Sequence, residues 1–270
     1  MNDAGERSQL PAEGFIRSAI RIVEEAQKEG IILRIMGAVG FRIHTPHLAE
    51  LHKRLNRLNN SALEFTDLDL MTYGRFSQKL ESFFTALGYP ADQHAKYQIH
   101  VWAQRHFYHD SSGTFKIDVF FDRLEMSHTI DFKDRLEVDS PTIPLAELLL
   151  EKMQILQISE KDIKDAIILL LGHEMGEDDA DHINAKQIGS VLANDWGLWY
   201  TATMNLEKVR LFSAKYGELS ESEKDAIASK VDALRKYVED YPKGTKWKIR
   251  AKMGTKRKWY RDVEERYGTQ

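Results

Sequence analysis

Apolar and polar residues follow two different periods along the first half of the chain. Over residues 12–29 the apolar residues recur at helical spacing, which predicts an amphipathic helix that ends at Gly30. The β-branched run at 31–37 predicts a buried strand, and the small residues at 37–40 predict a turn after it. Further helices are expected over residues 41–44, 46–58 and 76–88.

Several later segments show the period of two that is typical of half-buried strands. Residues 65–72 alternate between apolar and polar side chains. Residues 97–110 and 114–122 flank the sequence Ser-Ser-Gly, which predicts a hairpin. A further strand is predicted over residues 129–138.

The second half of the chain shows helical periodicity almost throughout. Two prolines, Pro141 and Pro144, mark a linker before it. Because strands and helices interleave before the linker and helices alone follow it, we expect an α+β fold with a mixed sheet and an all-α C-terminal region. The predicted helices cover 145–157, 160–172, 184–194, 196–216 and 220–240. The predicted domains are 1–140, 141–242 (helical) and 243–270 (a basic tail).

Composition narrows the class of protein. The 270 residues are 42% hydrophobic, which is enough to bury a core, and the formal net charge is −4. The absence of cysteine excludes disulfides, zinc–thiolate sites, iron–sulfur clusters and cysteine nucleophiles. No apolar stretch approaches the roughly 20 residues that span a bilayer, and the polar N-terminus has no signal-peptide core. We therefore expect a cytoplasmic protein with no membrane partner.

Asp67 and Asp69 are the most informative polar residues. Because one residue separates them on a predicted strand, they lie on the same face. Neighbouring carboxylates repel each other unless a cation neutralises them, and Mg²⁺ prefers such oxygen ligands. Asp118, which interrupts an apolar strand, is the preferred third acid of a two-metal site, and Asp122 is a weaker substitute. The alternative is that Asp67 and Asp69 belong to the solvated face of an amphipathic strand.

The turn at 37–40 has the sequence Gly-Ala-Val-Gly. Small residues let a backbone approach a triphosphate closely and direct N–H groups at it. Two glycines three residues apart also serve a tight turn that binds nothing. Arg42 follows the turn and could contact a phosphate, cap the local helix or pair with an acid.

Together these motifs resemble the nucleotidyltransferase superfamily of the DNA polymerase β type. The shared features are a strand ending in MGAVGFR, a strand carrying TDLDL and a later strand carrying FKIDVFF. Within the superfamily the chain is most similar to the AbiEii-type group, known from the toxins of type IV toxin–antitoxin systems. A motif that opens the helical part of that group is matched here by EKMQILQISEKDIKDAIIL, with Lys152, Lys161, Asp162 and Asp165 at fitting places. The resemblance covers about residues 30–172.

The resemblance implies a nucleotidyltransferase-like N-terminal domain that uses Mg²⁺ or Mn²⁺ and an NTP. Asp67 and Asp69 would bind the metals, and Asp118 would complete the site and help to activate the incoming hydroxyl. Two features depart from the pattern: Ala38 stands where glycine or serine is typical, and the spacing from Asp69 to Asp118 is long. The candidate nucleotide-binding residues are Gly37, Ala38, Arg42 and Lys152.

The C-terminal segment has a different composition, with nine Lys or Arg and no acid over residues 243–261. Such a segment can neutralise phosphates, and its tryptophans can stack on unpaired bases. Its flexible character favours RNA; the toxin-like kinship implies tRNA as acceptor and a cognate antitoxin as partner. The alternative is a C-terminal extension that docks against the mildly acidic remainder of the chain, residues 1–242. The candidate nucleic-acid-binding residues are Lys246, Trp247, Lys248, Arg250, Arg257, Lys258 and Trp259.

Two functions from different classes remain open at this point. The first is a metal-dependent enzyme that transfers NMP from an NTP to a hydroxyl of RNA, a protein or a small molecule. The second is a non-catalytic nucleotide- or RNA-binding protein that keeps the nucleotidyltransferase fold. The three acids favour the enzyme, because a binding module does not need all of them.

Overall fold

The computed structural model describes residues 11–58, 64–92, 105–110 and 115–263. The elements in chain order are α1 (Ala12–Lys28), β1 (Leu33–Met36), α2 (Gly37–His44), α3 (Ala49–Leu55), β2 (Leu68–Thr72), α4 (Ser77–Ala86), β3 (Arg105–His109), β4 (Lys116–Phe121), β5 (Arg123–Glu125), β6 (Thr129–Asp131), α5 (Leu145–Met153), α6 (Glu160–Gly172), β7 (Glu174–Gly176), β8 (His182–Asn184), α7 (Ala185–Asn194), α8 (Trp196–Ser213), α9 (Glu221–Asp240) and α10 (Thr245–Met253). The predicted α+β fold class is confirmed.

The described residues fall into two compact units. The first draws on Met1–Pro46, Asn56–Asp122 and Phe132–Pro144, and the second on His47–Leu55, Arg123–Asp131 and Leu145–Gln270. Because α3 and the β5–β6 hairpin group with the second unit, a single cut after residue 140 does not separate the two.

The first unit is organised around a four-stranded sheet with the order β1-β2-β4-β3. β2 and β4 are parallel, and the outer strands β1 and β3 run antiparallel to their neighbours. One face of the sheet packs on α1 and α4 in a continuous apolar core. Aromatic rings fill this core, with the ring centroids of Phe15 and Phe115 4.4 Å apart and those of Phe84 and Tyr108 4.2 Å apart.

The apolar periodicity of the sequence accounts for these elements. The stripe on α1 is buried, and the chain leaves the helix at Gly30, whose φ of +69° suits glycine. Ile117, Val119 and Phe121 of β4 and Phe115 just before it all enter the core, as their spacing predicts. Lys116, Asp118 and Phe120 of β4 therefore face the other side of the sheet.

Two local predictions were wrong. The segment 37–40 is not a turn before a helix, because α2 begins directly at Gly37, where one residue with a φ of +64° makes the change of direction. The strand predicted over 129–138 is only β6, which pairs with the unpredicted β5. The chain then turns at Asp134, whose φ of +58° is incompatible with a strand. The predicted Ser-Ser-Gly hairpin turn lies outside the described residues.

The second unit is mainly helical, and polar N-cap residues fix where its helices begin. Ser159 accepts a hydrogen bond from the Asp162 N–H, and Ser220 forms a capping box with Glu223. The predicted helical region also contains a short parallel pair, β7–β8, that the periodicity did not indicate. Helices α5–α9 contact one another around buried side chains that include Leu148, Leu149, Ile167, Leu206, Val209, Ile227 and Val231.

In the part of the chain that the structure describes, no helix has the length and apolarity needed to cross a membrane.

Candidate active site

Parallel pairing of β2 and β4 brings the predicted acids together on one face of the sheet. Asp69 is the direct register partner of Asp118. Both point away from the core, because their neighbours Leu68 and Ile117 are buried in it. Asp67 lies two residues before Asp69, immediately ahead of β2. The first unit therefore places all three predicted carboxylates at the end where β2 begins.

The end of β1 closes one side of this site. Met36 is the register partner of Asp69, and Gly37 follows it. A β-carbon at Gly37 would lie 2.5 Å from Oδ2 of Asp69, closer than real β-carbons approach. Glycine is thus required here both by the positive φ and by the carboxylate against it.

The electrostatic state of Asp118 reflects its surroundings. Its side chain is buried, and this burial together with the negative charge of Asp67 raises the pKa of Asp118 to about 6. Arg105 and Lys116 act in the opposite direction and lower that pKa. A carboxyl group with such a pKa can accept a proton near neutral pH.

The donor set suits a hard divalent cation, although it is not a closed metal cage. Within the described residues, no group of three or more His, Asp or Glu side chains forms a ready-made metal site. Burial first and the negative charge of Asp67 second raise the pKa of Asp118, as expected for carboxylates that lie near each other out of contact with water. Oxygen ligands carrying such charge fit Mg²⁺ or Mn²⁺, so Asp67, Asp69 and Asp118 would be its ligands.

Asp122, the weaker candidate for third acid, has a structural task. It has a φ of +58°, and its Oδ1 accepts a hydrogen bond of 3.0 Å from the Gly74 N–H. A β-carbon at Gly74 would lie 2.7 Å from Asp122 Oδ2. Asp122 therefore holds the turn that follows β2, whereas Asp118 lies beside Asp69.

The predicted nucleotide-binding residues outside the glycine turn are engaged with acids. Arg42 is buried, and its guanidinium contacts Glu13 at 3.0 Å and Glu64 at 3.2 Å. Pairing with an acid was one of the three alternatives for Arg42. Ala38 packs against the apolar core of the first unit. Phosphate binding by Ala38 and Arg42 stays a prediction.

Lys152 belongs to the second unit, where three carboxylates surround it. Its Nζ lies 3.4 Å from Glu151, 3.3 Å from Asp162 and 3.5 Å from Asp165, and the side chain is mostly buried. Asp162 and Asp165 belong to the same sequence motif as Lys152, so this motif folds into one charged cluster between α5 and α6. A contact between Lys152 and a triphosphate remains a prediction and would require sharing the ammonium with these acids.

The C-terminal segment uses its aromatic residues for packing. Trp247 Nε1 donates a hydrogen bond to the Leu192 carbonyl, and Trp259 Nε1 donates one to Thr201 Oγ1. Both donor–acceptor distances are 3.1 Å. The Arg250 guanidinium stacks over the Trp196 ring. The prediction of a flexible tail is therefore wrong for Trp247, Trp259 and Arg250. These three side chains pack as the alternative, a docked extension, predicts. The exposed cations of the predicted set are Lys246, Lys248, Arg257 and Lys258.

Sequence analysis missed Arg105, whose Nη1 lies 3.9 Å from Asp118 Oδ2. The hairpin signal predicted that β3 lies beside β4, but it did not give the register that sets Arg105 near Asp118. No other feature of the sequence distinguishes this arginine.

Comparisons with known proteins give weak similarity to solved structures. The chain matches no protein-family profile and no curated protein. Among solved structures it is similar to the antibiotic-resistance factor ANT(2'')-Ia, a nucleotidyltransferase, with a TM-score of 0.38 and 11% identity over 68% of this chain and 96% of that one. This similarity gives no support to the AbiEii-type group. Similarity at this level is too low to assign an activity to this chain.

Proposed function

We propose that the protein is a metal-dependent nucleotidyltransferase that transfers a nucleoside monophosphate from an NTP to a hydroxyl acceptor. The observation that carries this proposal is the register of β2 and β4, which sets Asp69 beside Asp118 with Gly37 against the Asp69 carboxylate. A solvated strand face would explain Asp67 and Asp69, but it would not explain a buried third acid next to them.

In the proposed reaction the acceptor oxygen forms a bond to the α-phosphorus, the bond from that phosphorus to the pyrophosphate oxygen breaks, and pyrophosphate leaves. When bound, Mg²⁺ or Mn²⁺ would offset the charge of the phosphates. Asp67 and Asp69 would hold the metal, and Asp118 would take the proton from the acceptor hydroxyl at a carboxylate oxygen. Gly37 would leave room beside Asp69 for the triphosphate.

The acceptor is the less defined part of the proposal. We favour RNA, with tRNA and a cognate antitoxin as the partners that AbiEii-type kinship implies. The support is the group of exposed cations at Lys246, Lys248 and Arg257, in a segment with no acid over residues 243–261. Lys258 is also exposed, but it forms an ion pair with Asp262. Stacking by Trp247 and Trp259 is not part of this proposal, because their rings are packed within the second unit.

The alternative is a non-catalytic nucleotide- or RNA-binding protein. Two observations favour it: the described residues contain no ready-made metal site, and Asp118 already has the cation Arg105 nearby. A binding protein would tolerate the loss of any one of the three acids without losing its ligand.

The experiment that separates the two functions is transfer of label from α-³²P-NTPs to bulk RNA in the presence of Mg²⁺ or Mn²⁺. We expect transfer with the wild-type protein and none with D67N, D69N or D118N. The matched control is D122N, which keeps an oxygen acceptor for the Gly74 N–H and should retain transfer. Absence of transfer to RNA, protein or small hydroxyl compounds with every NTP, together with nucleotide binding unchanged in D69N, would establish the binding protein instead.

A further inference from the structure

Arg105 occupies a defined position beside the acids of the first unit. It is the first residue of β3 and the register partner of Phe120, while Phe107 is the partner of Asp118. Cross-strand partners share a face of a sheet, and so do alternate residues along a strand. Arg105 therefore lies on the same face as Asp118, diagonally across from it.

The guanidinium of Arg105 is held in place by a ring. Its Cζ lies 4.3 Å from the centroid of Phe120, which is buried. A cation stacked on an aromatic face gains about 0.5–2 kcal/mol, depending on how far it is desolvated. This stacking restricts the direction in which the guanidinium can reach, and that direction is toward Asp118.

Arg105 and Asp118 form a loose ion pair without a direct hydrogen bond. Nη1 and Oδ2 are 3.9 Å apart, within ion-pair range and beyond hydrogen-bond distance. An arginine that formed a bidentate pair would occupy both carboxylate oxygens. At 3.9 Å the guanidinium attracts the carboxylate while leaving its oxygens available for other partners.

We propose that Arg105 is a positioning residue that holds the Asp118 side chain in place on the face shared with Asp67 and Asp69 and offsets part of the repulsion among them. The proposal rests on the proposed function for its catalytic consequence. Without the cation, the three like charges favour separation, and Asp118 has more freedom to turn away from Asp67 and Asp69.

Arg75 is a matched control, because it also stacks on an aromatic ring and pairs with a carboxylate, but not with Asp67, Asp69 or Asp118. Its Cζ lies 4.3 Å from the Tyr73 ring, and its Nη2 lies 3.6 Å from Glu137. The test compares R105Q, R105K and R75Q in single-turnover and steady-state transfer assays, with thermal unfolding of each variant as the check on folding.

We expect R105Q to lower kcat by about 10- to 100-fold with KM for the NTP changed less than about threefold, because displacing a reacting group by about 1 Å costs this much. R105K should recover part of the loss, since it restores the charge but not the planar stack. R75Q should match the wild-type protein. A rise in KM with kcat unchanged would overturn the proposal and make Arg105 a nucleotide ligand, and unchanged kinetics in R105Q would overturn it as well.

A structural readout keeps this test separate from the proposed function. Crystal structures of the wild-type protein, R105Q, R105K and R75Q would show the direction of the Asp118 side chain in each. We expect it to rotate away from Asp69 in R105Q alone. An unmoved Asp118 in R105Q overturns the positioning role even if transfer is observed. If the wild-type protein transfers no nucleotide, the proposed function fails, but the rotation of the Asp118 side chain still tests the positioning role of Arg105. If R105Q does not fold, the direction of Asp118 in R105K provides this test.

Discussion

Gly37 and Asp69 fit each other so closely that a β-carbon on the first would lie 2.5 Å from a carboxylate oxygen of the second. Asp69 lies on β2, and Gly37 is the first residue of α2, directly after β1, the antiparallel neighbour of β2. The glycine thus determines how near the backbone comes to the acid, and the acid determines that the residue must be glycine.

We therefore expect G37A to disrupt the site as well as the fold. The positive φ of Gly37 costs an alanine about 1–2 kcal/mol, and the clash with Asp69 adds to this because the carboxylate must move. Urea denaturation should show a loss greater than that of the control G30A. Gly30 has a φ of +69°, and a β-carbon added there would meet nothing within 4 Å, so it reports the backbone cost alone. Equal losses in the two variants would mean that Asp69 yields without cost.

Replacing Asp118 by asparagine should stabilise the protein while removing activity. The folded-state pKa of about 6 lies above the ordinary value of 3.8, so ionising Asp118 at neutral pH destabilises the folded state. The contribution of protonated Asp118 to the stability of the folded state is fully present below pH 3.8 and is lost as the pH rises through about 6. D118N should therefore gain up to about 3 kcal/mol over the wild-type protein above about pH 6, and the gain should vanish below about pH 4. Urea denaturation in acidic and in neutral buffer measures this difference, and a constant difference would contradict it.

His128 should lower the stability of the folded state in acid, over a pH range that overlaps the range of Asp118 and with the opposite sign. Burial lowers the pKa of His128 to about 4 from 6.5, and its Nε2 lies 2.9 Å from Thr201 Oγ1. The unfolded chain takes up a proton at this site before the folded protein does, so stability is lost as the pH falls from 6.5 through about 4. The contribution of His128 to this loss should reach about 3 kcal/mol, and in the wild-type protein the opposite effect of Asp118 offsets much of it. The H128Q variant lacks the proton uptake and should show a smaller loss over the same range, as followed by thermal unfolding.

The C-terminal segment should contribute to the stability of the second unit. W259F removes the hydrogen bond from Trp259 Nε1 to Thr201 and should cost about 1–2 kcal/mol. The control is K248Q at an exposed position, which should change stability by less than about 0.5 kcal/mol. Chemical denaturation of the two variants tests this difference, and equal stability would show that the segment only lies on the unit without supporting it.

The exposed cations of α10 give a prediction for RNA binding. If Lys246 and Lys248 contact phosphates, the double variant K246Q/K248Q should bind single-stranded RNA more weakly, and its salt dependence of log K should be shallower by about 1.4. The control is K28Q/K53Q, which removes two exposed lysines from other helices. Filter binding at several salt concentrations measures both slopes. The same slope in both variants would remove α10 from the RNA-binding surface.

Local patterns in the sequence were enough to predict several elements and the identity of the acids. The apolar stripe on α1 and the alternation on β4 follow from local helix and strand geometry alone. The sequence period therefore predicts correctly which of their residues are buried. The turn at Asp134 could not be predicted, because it depends on a left-handed backbone conformation at a residue other than glycine. The short β5–β6 hairpin could not be predicted, because it depends on which segments pair in the folded protein. For the same reason the sequence could not show that Trp247 and Trp259 would be packed against helices.

The sequence by itself determined which residue types are present and which face of its strand each acid occupies, since strand side chains alternate with a period of two. It therefore placed Asp67, Asp69 and Asp118 opposite the core. Only the tertiary structure decided that β2 and β4 are parallel neighbours in the register that pairs Asp69 with Asp118, and that Arg105 lies beside them. Pairing between distant strands depends on the packing of the whole sheet, and no local spacing records it.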